Sequence, residues 1–312
     1  MSFVTAIVPS YGHHAMTREA VARLREQSRP PVEILVVDDG YAEPLEELAG
    51  ARVLRHQENL GFAAAVNTGL RAAQTPLVAI LNNDVTLAED WLERLSAVIT
   101  DQACDFVCGK LYKPGGMLDG TFDLLSRGGL AWRAGAGRPD GALWSVGHPI
   151  LFTSFTALLA RREVFAAAGE LDESYHSYYE DVAWSLQAAI LLKKGYYDPD
   201  ATGLHTGSAT AGVRSAYSTR QLLRNHRRLA HQYLLPPYRR EYGISRALYR
   251  AHCMQHGQWP HIPREVVAPK MVGADRLEAV LRESEALLYE LQRETGMDRL
   301  WRWYFQMAGR MA

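Results

Sequence analysis

Val32-Glu33-Ile34-Leu35-Val36-Val37-Asp38-Asp39-Gly40 is the stretch on which the reading of this chain turns. Five aliphatic residues, broken only by Glu33, end abruptly in two acids and a glycine. A short apolar run bounded by a turn signal reads as a buried strand, and its end carries two carboxylates. The same pattern recurs on either side. Upstream, Phe3 to Pro9 is an apolar run ending in Ser10-Tyr11, followed by helical spacing from Thr17 to Gln27 (Ala20, Val21, Leu24), with Thr17 read as the N-cap. Downstream, Arg52 to His56 reads as a third strand, Phe62 to Ala73 as a helix, and Leu77 to Leu81 as a strand ending in Asn82-Asn83-Asp84. Ala88 to Ile99 is again helical. Strands alternating with helices predict an α/β fold whose mostly parallel central sheet is flanked by helices.

In such sheets ligands bind beyond the carboxyl ends of the strands, so Ser10-Tyr11, Asp38-Asp39 and Asn82-Asn83-Asp84 are expected to converge on one crevice. No G-x-G-x-x-G follows the first strand and no G-x-x-x-x-G-K-[ST] occurs, which excludes the common dinucleotide and P-loop arrangements. A crevice rimmed by acids needs a cation to hold an anionic ligand. Carboxylate oxygens are hard ligands that suit Mg2+ or Mn2+.

Further along, residues 101–144 are irregular and rich in glycine, apolar and aromatic residues, which reads as strands and an ordered loop near the site. Ser154 to Ala160 reads as a strand, Arg162 to Ala168 as a short helix stopped by Gly169, and Asp181 to Leu192 as a helix. Beyond Gly212 the chain turns helical and arginine-rich, with no internal repeat. The expected division is a catalytic domain over 1–212 (nucleotide-sugar half about 1–110, acceptor half about 111–212) and a helical extension over 213–312.

Several short motifs in order carry a resemblance. Val8-Pro9-Ser10-Tyr11, Val36-Val37-Asp38-Asp39-Gly40, Asn59-Leu60-Gly61-Phe62 with Asn67, Leu81-Asn82-Asn83-Asp84 and Tyr179-Glu180-Asp181-Val182 resemble the successive motifs of family 2 glycosyltransferases over residues 3–210. The run Asn59 to Asn67 is similar to that of rhamnosyltransferase-like members. The resemblance implies a GT-A fold, a Rossmann-like nucleotide-binding half, and inverting transfer of a sugar from a nucleotide diphosphate sugar. A dTDP- or UDP-linked donor is expected, dTDP-rhamnose among them, with a glycan or lipid-linked acceptor in the synthesis of bacterial surface polysaccharide.

By the same resemblance Pro9, Ser10, Tyr11, Asp38, Asp39, Asn59, Gly61, Asn67, Asn82 and Asn83 fall in the donor site, with Tyr11 offering a stacking face to the base. Asp84 and His205 fall to the metal, Mn2+ or Mg2+. The family motif there is Asp-x-Asp, and Asn82 replaces its first acid. Glu180-Asp181 provides the catalytic base, assigned to Asp181. His13-His14 reads as a solvated loop. The rival readings are a nucleotidyltransferase, which needs a basic glycine-rich loop that Gly12-His13-His14 does not resemble, and a non-catalytic sugar-nucleotide binding protein.

Composition bounds the rest. Thirty-four Lys+Arg against 35 Asp+Glu excludes a dedicated nucleic-acid binder. No apolar run approaches the roughly 20 residues that span a bilayer, and Met1 to Ser10 reads as a strand rather than a signal peptide, so a cytoplasmic location is expected. Three cysteines, Cys104, Cys108 and Cys253, form no disulfide framework and read as buried structural thiols. In the tail, Arg214, Arg220, Arg224, Arg227, Arg228, Arg239 and Arg240 read as a solvated face or a dock for anionic lipid on the inner membrane surface. The amphipathic stretch Asp275 to Leu291 and the cluster Trp301, Trp303, Tyr304 and Phe305 read as internal packing, a homodimer contact or peripheral membrane contact.

Overall fold

Val4–Ser10 forms β1, with all seven residues buried, as a strand covered on both faces requires. The computed structural model describes residues 3–207, 215–234, 237–255, 262, 265–270 and 272–309. After β1 come α1 (His14–Arg25), β2 (Glu33–Asp38), β3 (Arg52–Arg55), α2 (Phe62–Ala72), β4 (Leu77–Leu81), β5 (Val85–Leu87), α3 (Trp91–Asp101), β6 (Phe106–Tyr112) and β7 (Leu118–Gly120). A hairpin of β8 (Asp123–Leu125) and β9 (Ala131–Arg133) precedes β10 (His148–Ile150), β11 (Ala157–Arg161), α4 (Arg162–Ala168), α5 (Glu180–Ile190) and β12 (Gly195–His205). The tail holds α6 (Ala216–Leu229), a π-helical turn at Ala230–Leu234, α7 (Arg239–Gln255), α8 (Ala274–Glu294) and α9 (Arg299–Met307).

The chain divides into two compact units. One takes Met1–Phe122 and Gly135–Thr210; the other takes Asp123–Ala134 and Ala211–Ala312. The first contains a ten-stranded sheet with the order β10-β12-β6-β11-β4-β1-β2-β3, while β5 pairs with β12 and β7 with β6. Strands β3, β2, β1 and β4 run parallel, with α1 crossing from β1 to β2, a helix-free connection from β2 to β3, and α2 crossing from β3 to β4. Beyond β4, β11 inserts antiparallel between β4 and β6. Val8, Val36, Leu81, Trp91, Leu95, Val107 and Leu159 belong to one buried cluster between the sheet and its helices. Each such side chain stabilises the fold by roughly 1.5–3 kcal/mol through removal from water.

Two expectations change here. Helix α1 starts earlier than its apolar spacing suggests, because Gly12 and His13 take left-handed backbone angles that end the loop. Thr17 is therefore a buried residue inside α1 rather than its N-cap, and His14 is the first helical residue rather than part of a loop. The Arg214 position and the 212/213 boundary lie outside the described residues.

In the second unit a buried carboxylate, Glu285 of α8, anchors the hairpin turn. It accepts hydrogen bonds from the Arg127 amide (3.1 Å), Arg127 Nε (2.6 Å) and the Tyr304 hydroxyl (2.6 Å). Ser284 Oγ accepts from the Leu125 amide at 2.7 Å. The apolar stripe of α8 (Leu277, Val280, Leu281, Leu288, Leu291) and Trp301, Tyr304 and Phe305 of α9 are buried within the chain. Arg224 and Arg228 both pair with Glu265, so part of the arginine run is neutralised internally. Among the described residues, no helix is long and apolar enough to cross a membrane. Cys104, Cys108 and Cys253 are buried thiols.

Candidate active site

The parallel strands end together. Ser10 at the end of β1 is in register with Asp38 at the end of β2, and the Asp39 amide donates to the Ser10 carbonyl at 2.8 Å. Thr17 ties in the third strand end: its Oγ1 lies 2.7 Å from Ser10 Oγ and accepts from Asn83 Nδ2 at 3.0 Å. The Asn82 amide donates to the Thr156 carbonyl (2.9 Å), which fixes where the segment after β4 turns. Pro9 is buried within the sheet opposite Val37, and Tyr11 meets Tyr41 edge-on with ring centroids 5.3 Å apart.

Both acids after β2 are engaged by the protein itself. Asp38 accepts from the Leu45 amide at 3.0 Å and pairs with the Arg55 guanidinium. Asp39 accepts from the Leu60 amide and His56 Nδ1 on Oδ1 (2.9 and 2.8 Å) and from the Gly61 amide on Oδ2 (2.9 Å). His56 Nε2 in turn lies 2.8 Å from Thr68 Oγ1 of α2.

Asp39 thereby shapes the loop whose next neighbour is the acid pair. Gly61 lies against His176, whose carbonyl accepts from the Ala63 amide at 3.1 Å. Asn67 of α2 is buried and spends its amide on the same segment: Nδ2 donates to the Leu171 carbonyl and to Glu173 Oε1 (both 2.9 Å), and Oδ1 accepts from the Leu171 amide (3.0 Å). Asn59 is exposed. Of the donor-site residues expected by resemblance, Gly61 and Asn67 act as braces.

The braced segment leads into α5 under strain. His176, Tyr178 and Tyr179 all have positive φ (63°, 68°, 71°), an uncommon conformation for side chains of this size. Glu180 is buried, and Oε2 has no hydrogen-bond partner among the described residues. Burial pushes its carboxyl well above the usual carboxylate range, and the neighbouring Asp181 charge adds to the effect. Asp181 is half-buried in the first turn of α5, its Oδ1 accepting from the Val182 amide at 2.8 Å. Ser185, one turn on, has its Oγ 3.3 Å from the Thr153 amide, and Thr153 opens the short segment that reaches Thr156 and Asn82.

The metal candidates meet through strand pairing. His205 at the end of β12 is in register with Val85 of β5, the residue after Asp84. His205 Nε2 consequently lies 3.2 Å from Asp84 Oδ1. The Asp84 carbonyl also accepts from the Thr206 amide (3.0 Å) and hydroxyl (3.1 Å), which closes the turn. On its other side, His205 Nδ1 donates to Asp119 Oδ2 at 2.8 Å. Burial works against a charged ring, but Asp119 and Asp84 outweigh it and raise the His205 pKa to about 9.

Asp84 and His205 fit a divalent ion. Asp84 Oδ1 is buried and receives no hydrogen bond of normal geometry. Its 3.2 Å separation from Nε2 is close to the spacing of adjacent ligands about an octahedral ion with bonds of about 2.1 Å. Among the described residues no group of three His, Cys, Asp or Glu side chains is placed to hold one ion. Two protein ligands, with phosphate oxygens and water for the remainder, is a common arrangement for Mg2+ in phosphate-handling sites.

Asp119, Thr17, His56 and Thr156 belong to this constellation, and none is marked by a motif. Asp119 sits in a glycine-flanked segment of only three strand residues, and its contact with His205 spans 86 positions, so nothing in local spacing points to it.

Comparison with known proteins gives the family and the fold. The family model described as Glycosyl transferase family 2 matches residues 5–167. The "Pre-mycofactocin glycosyltransferase" of Mycobacterium tuberculosis is 29% identical over 211 residues, which is 65% of this chain and 42% of that protein. "Glycosyltransferase GlyG" of Streptococcus pneumoniae is 29% identical over 117 residues, 35% of this chain and 39% of that one. The chain thus spans less than half the length of these relatives. Among solved structures, GalNAc-T7 with UDP, GalNAc and Mn2+ superposes with a TM-score of 0.63 at 14% identity, covering 97% of this chain and 56% of the other. The mannosyltransferase PcManGT from Pyrobaculum calidifontis, in complex with GDP-Man and Mn2+, gives 0.53 at 15% identity, covering 98% and 86%. The fold is GT-A.

Proposed function

This chain belongs to glycosyl transferase family 2, and from that premise we propose that it moves a sugar from a nucleotide diphosphate sugar to an acceptor hydroxyl with inversion, using Asp181 as base. The observation that carries the metal-dependent form of this reading is Asp84 Oδ1 facing His205 Nε2 at 3.2 Å beside the converging strand ends. A divalent cation held there would neutralise charge on the leaving diphosphate.

The residues of the chain do the rest. Tyr11 and Tyr41 form the aromatic wall against which a base can lie. Asp181, half-buried at the start of α5, accepts the acceptor's proton as the hydroxyl attacks the anomeric carbon. Burial of Glu180, with the Asp181 charge beside it, raises its carboxyl pKa and so disfavours a second negative charge next to that base. The braces from Asp39, Gly61 and Asn67 hold the strained turn that aims Asp181. Because Gly61 and Asn67 serve the architecture, the motif they belong to carries little information on the sugar; dTDP-rhamnose is one donor to test among several.

The test pairs binding with turnover. UDP-, GDP- and dTDP-sugars are screened by thermal shift with and without Mn2+, and the donor that stabilises is used for transfer assays. Asp181→Asn is expected to lower kcat about 100- to 10,000-fold while donor binding is kept. Asp84→Ala is expected to lose the Mn2+-dependent part of donor binding. Turnover at the wild-type rate in Asp181→Asn rejects the assignment of the base, and Mn2+-dependent donor binding that survives in Asp84→Ala rejects the metal site.

A further inference from the structure

Asp119 lies on β7, a strand of three residues paired with the end of β6, and its side chain is buried. Its two oxygens do different things. Oδ2 accepts the 2.8 Å hydrogen bond from His205 Nδ1, and Oδ1 lies 3.8 Å from the Lys113 ammonium, which offsets part of its charge. The imidazole therefore stands between two carboxylates, and its nitrogens are inequivalent. Nδ1 is engaged in a bond of ordinary length, whereas Nε2 faces Asp84 Oδ1 at 3.2 Å, an oxygen that receives no hydrogen bond of normal geometry.

We propose that Asp119 is a positioning residue for a divalent cation shared by Asp84 and His205: by holding the Nδ1 proton it fixes the ring plane and keeps Nε2, whose proton an incoming metal would displace, directed at Asp84. The inference rests on the metal-dependent reading above. Its physical basis is general. An imidazole that ligates through one nitrogen needs the other to carry the proton, and a carboxylate partner both orients the ring and raises its basicity. Loss of such a partner typically weakens metal affinity about 10- to 100-fold.

The experiment titrates the purified full chain with Mn2+ alone and follows free Mn2+ by its paramagnetic resonance signal. Wild type, Asp119→Asn, Asp119→Ser and the reference Asp84→Ala are compared, with the melting temperature of each metal-free protein recorded. In parallel, the His205 ring nitrogens of the metal-free proteins are followed by 15N NMR above pH 9, where the neutral ring carries one proton. The expected result is weaker Mn2+ binding by about 10- to 100-fold in both Asp119 variants, melting temperatures close to wild type, and a proton on Nδ1 in wild type that Asp119→Ser no longer localises. Wild-type affinity in both Asp119 variants overturns the inference while leaving the metal site standing. A loss of affinity matched by unfolding of both metal-free variants assigns Asp119 to the fold alone and overturns it too. Absence of Mn2+ uptake by wild type rejects the metal-dependent reading and the inference with it.

Discussion

At Gly61 the backbone adopts φ +94°, and a Cβ placed there would stand 2.6 Å from both the ring and the carbonyl oxygen of His176. Neither demand can be met by an L side chain. With ψ at 167° this is the extended positive-φ region open essentially to glycine, a conformation that costs another residue roughly 1–3 kcal/mol, and the clash forces the strained turn before Asp181 to move. Gly61→Ala is therefore expected to lower urea-unfolding stability by about 2 kcal/mol and to lower kcat more than donor affinity, as steady-state kinetics would show. Asp39 makes the complementary point. A residue whose only task is to touch nucleotide can be changed without harm to the free protein, but Asp39 already accepts three hydrogen bonds, from His56, Leu60 and Gly61. Asp39→Ala leaves two of the chain's amides without their acceptor, and a loss of about 1–3 kcal/mol per buried unsatisfied group applies. The variant's ligand-free melting temperature should fall; an unchanged value would return Asp39 to a purely ligand-binding role.

Between elements, the decisive brace is Asn67, which joins α2 to the 171–173 segment by three hydrogen bonds. Asn67→Ala is expected to speed amide hydrogen exchange across 171–181 while leaving β1, β2 and β4 protected, because the lost bonds are confined to that segment. The elements themselves were largely legible: β1, β2 and β4 are apolar runs that stop at polar turns, and α2, α3 and α5 show helical spacing. Pairing order was not legible. Nothing in Ala157 to Arg161 announces that β11 runs antiparallel between β4 and β6. Strand β12 carries no clear strand pattern because Asp198-Pro199-Asp200 interrupts its alternation, and the register shifts between Tyr197 and Thr202. The meeting of His205 with Asp84 depends on that strand and on three-residue β5, so His205 was reachable only by resemblance, and Asp119 by neither route. Thr17 has the sequence pattern of a cap, a threonine opening an apolar period, but positive-φ Gly12 and His13 start the helix before it.

Taken over the whole chain, near-equal numbers of acids and bases conceal local arrangements that respond differently to pH. In the helical unit His226 is fully enclosed and donates from Nε2 to the Gly128 carbonyl at 2.9 Å. Burial pulls its pKa down to about 4; the carbonyl bond opposes that shift, and the Arg246 charge adds to it. The unfolded chain takes up a proton on this ring below about 6.5, whereas the folded chain does so only near 4. Between those values the unfolded state binds the extra proton, so the stability contributed by His226 is complete above about pH 6.5 and is lost as pH falls toward 4. A shift of this size corresponds to about 3 kcal/mol. Urea unfolding of the helical unit, followed at pH 7.5, 6 and 4.5, should show the decline. His226→Gln, which keeps an N–H for Gly128 but cannot ionise, should flatten the slope by about one proton across that interval. An identical slope in the variant would assign the acid sensitivity to other groups.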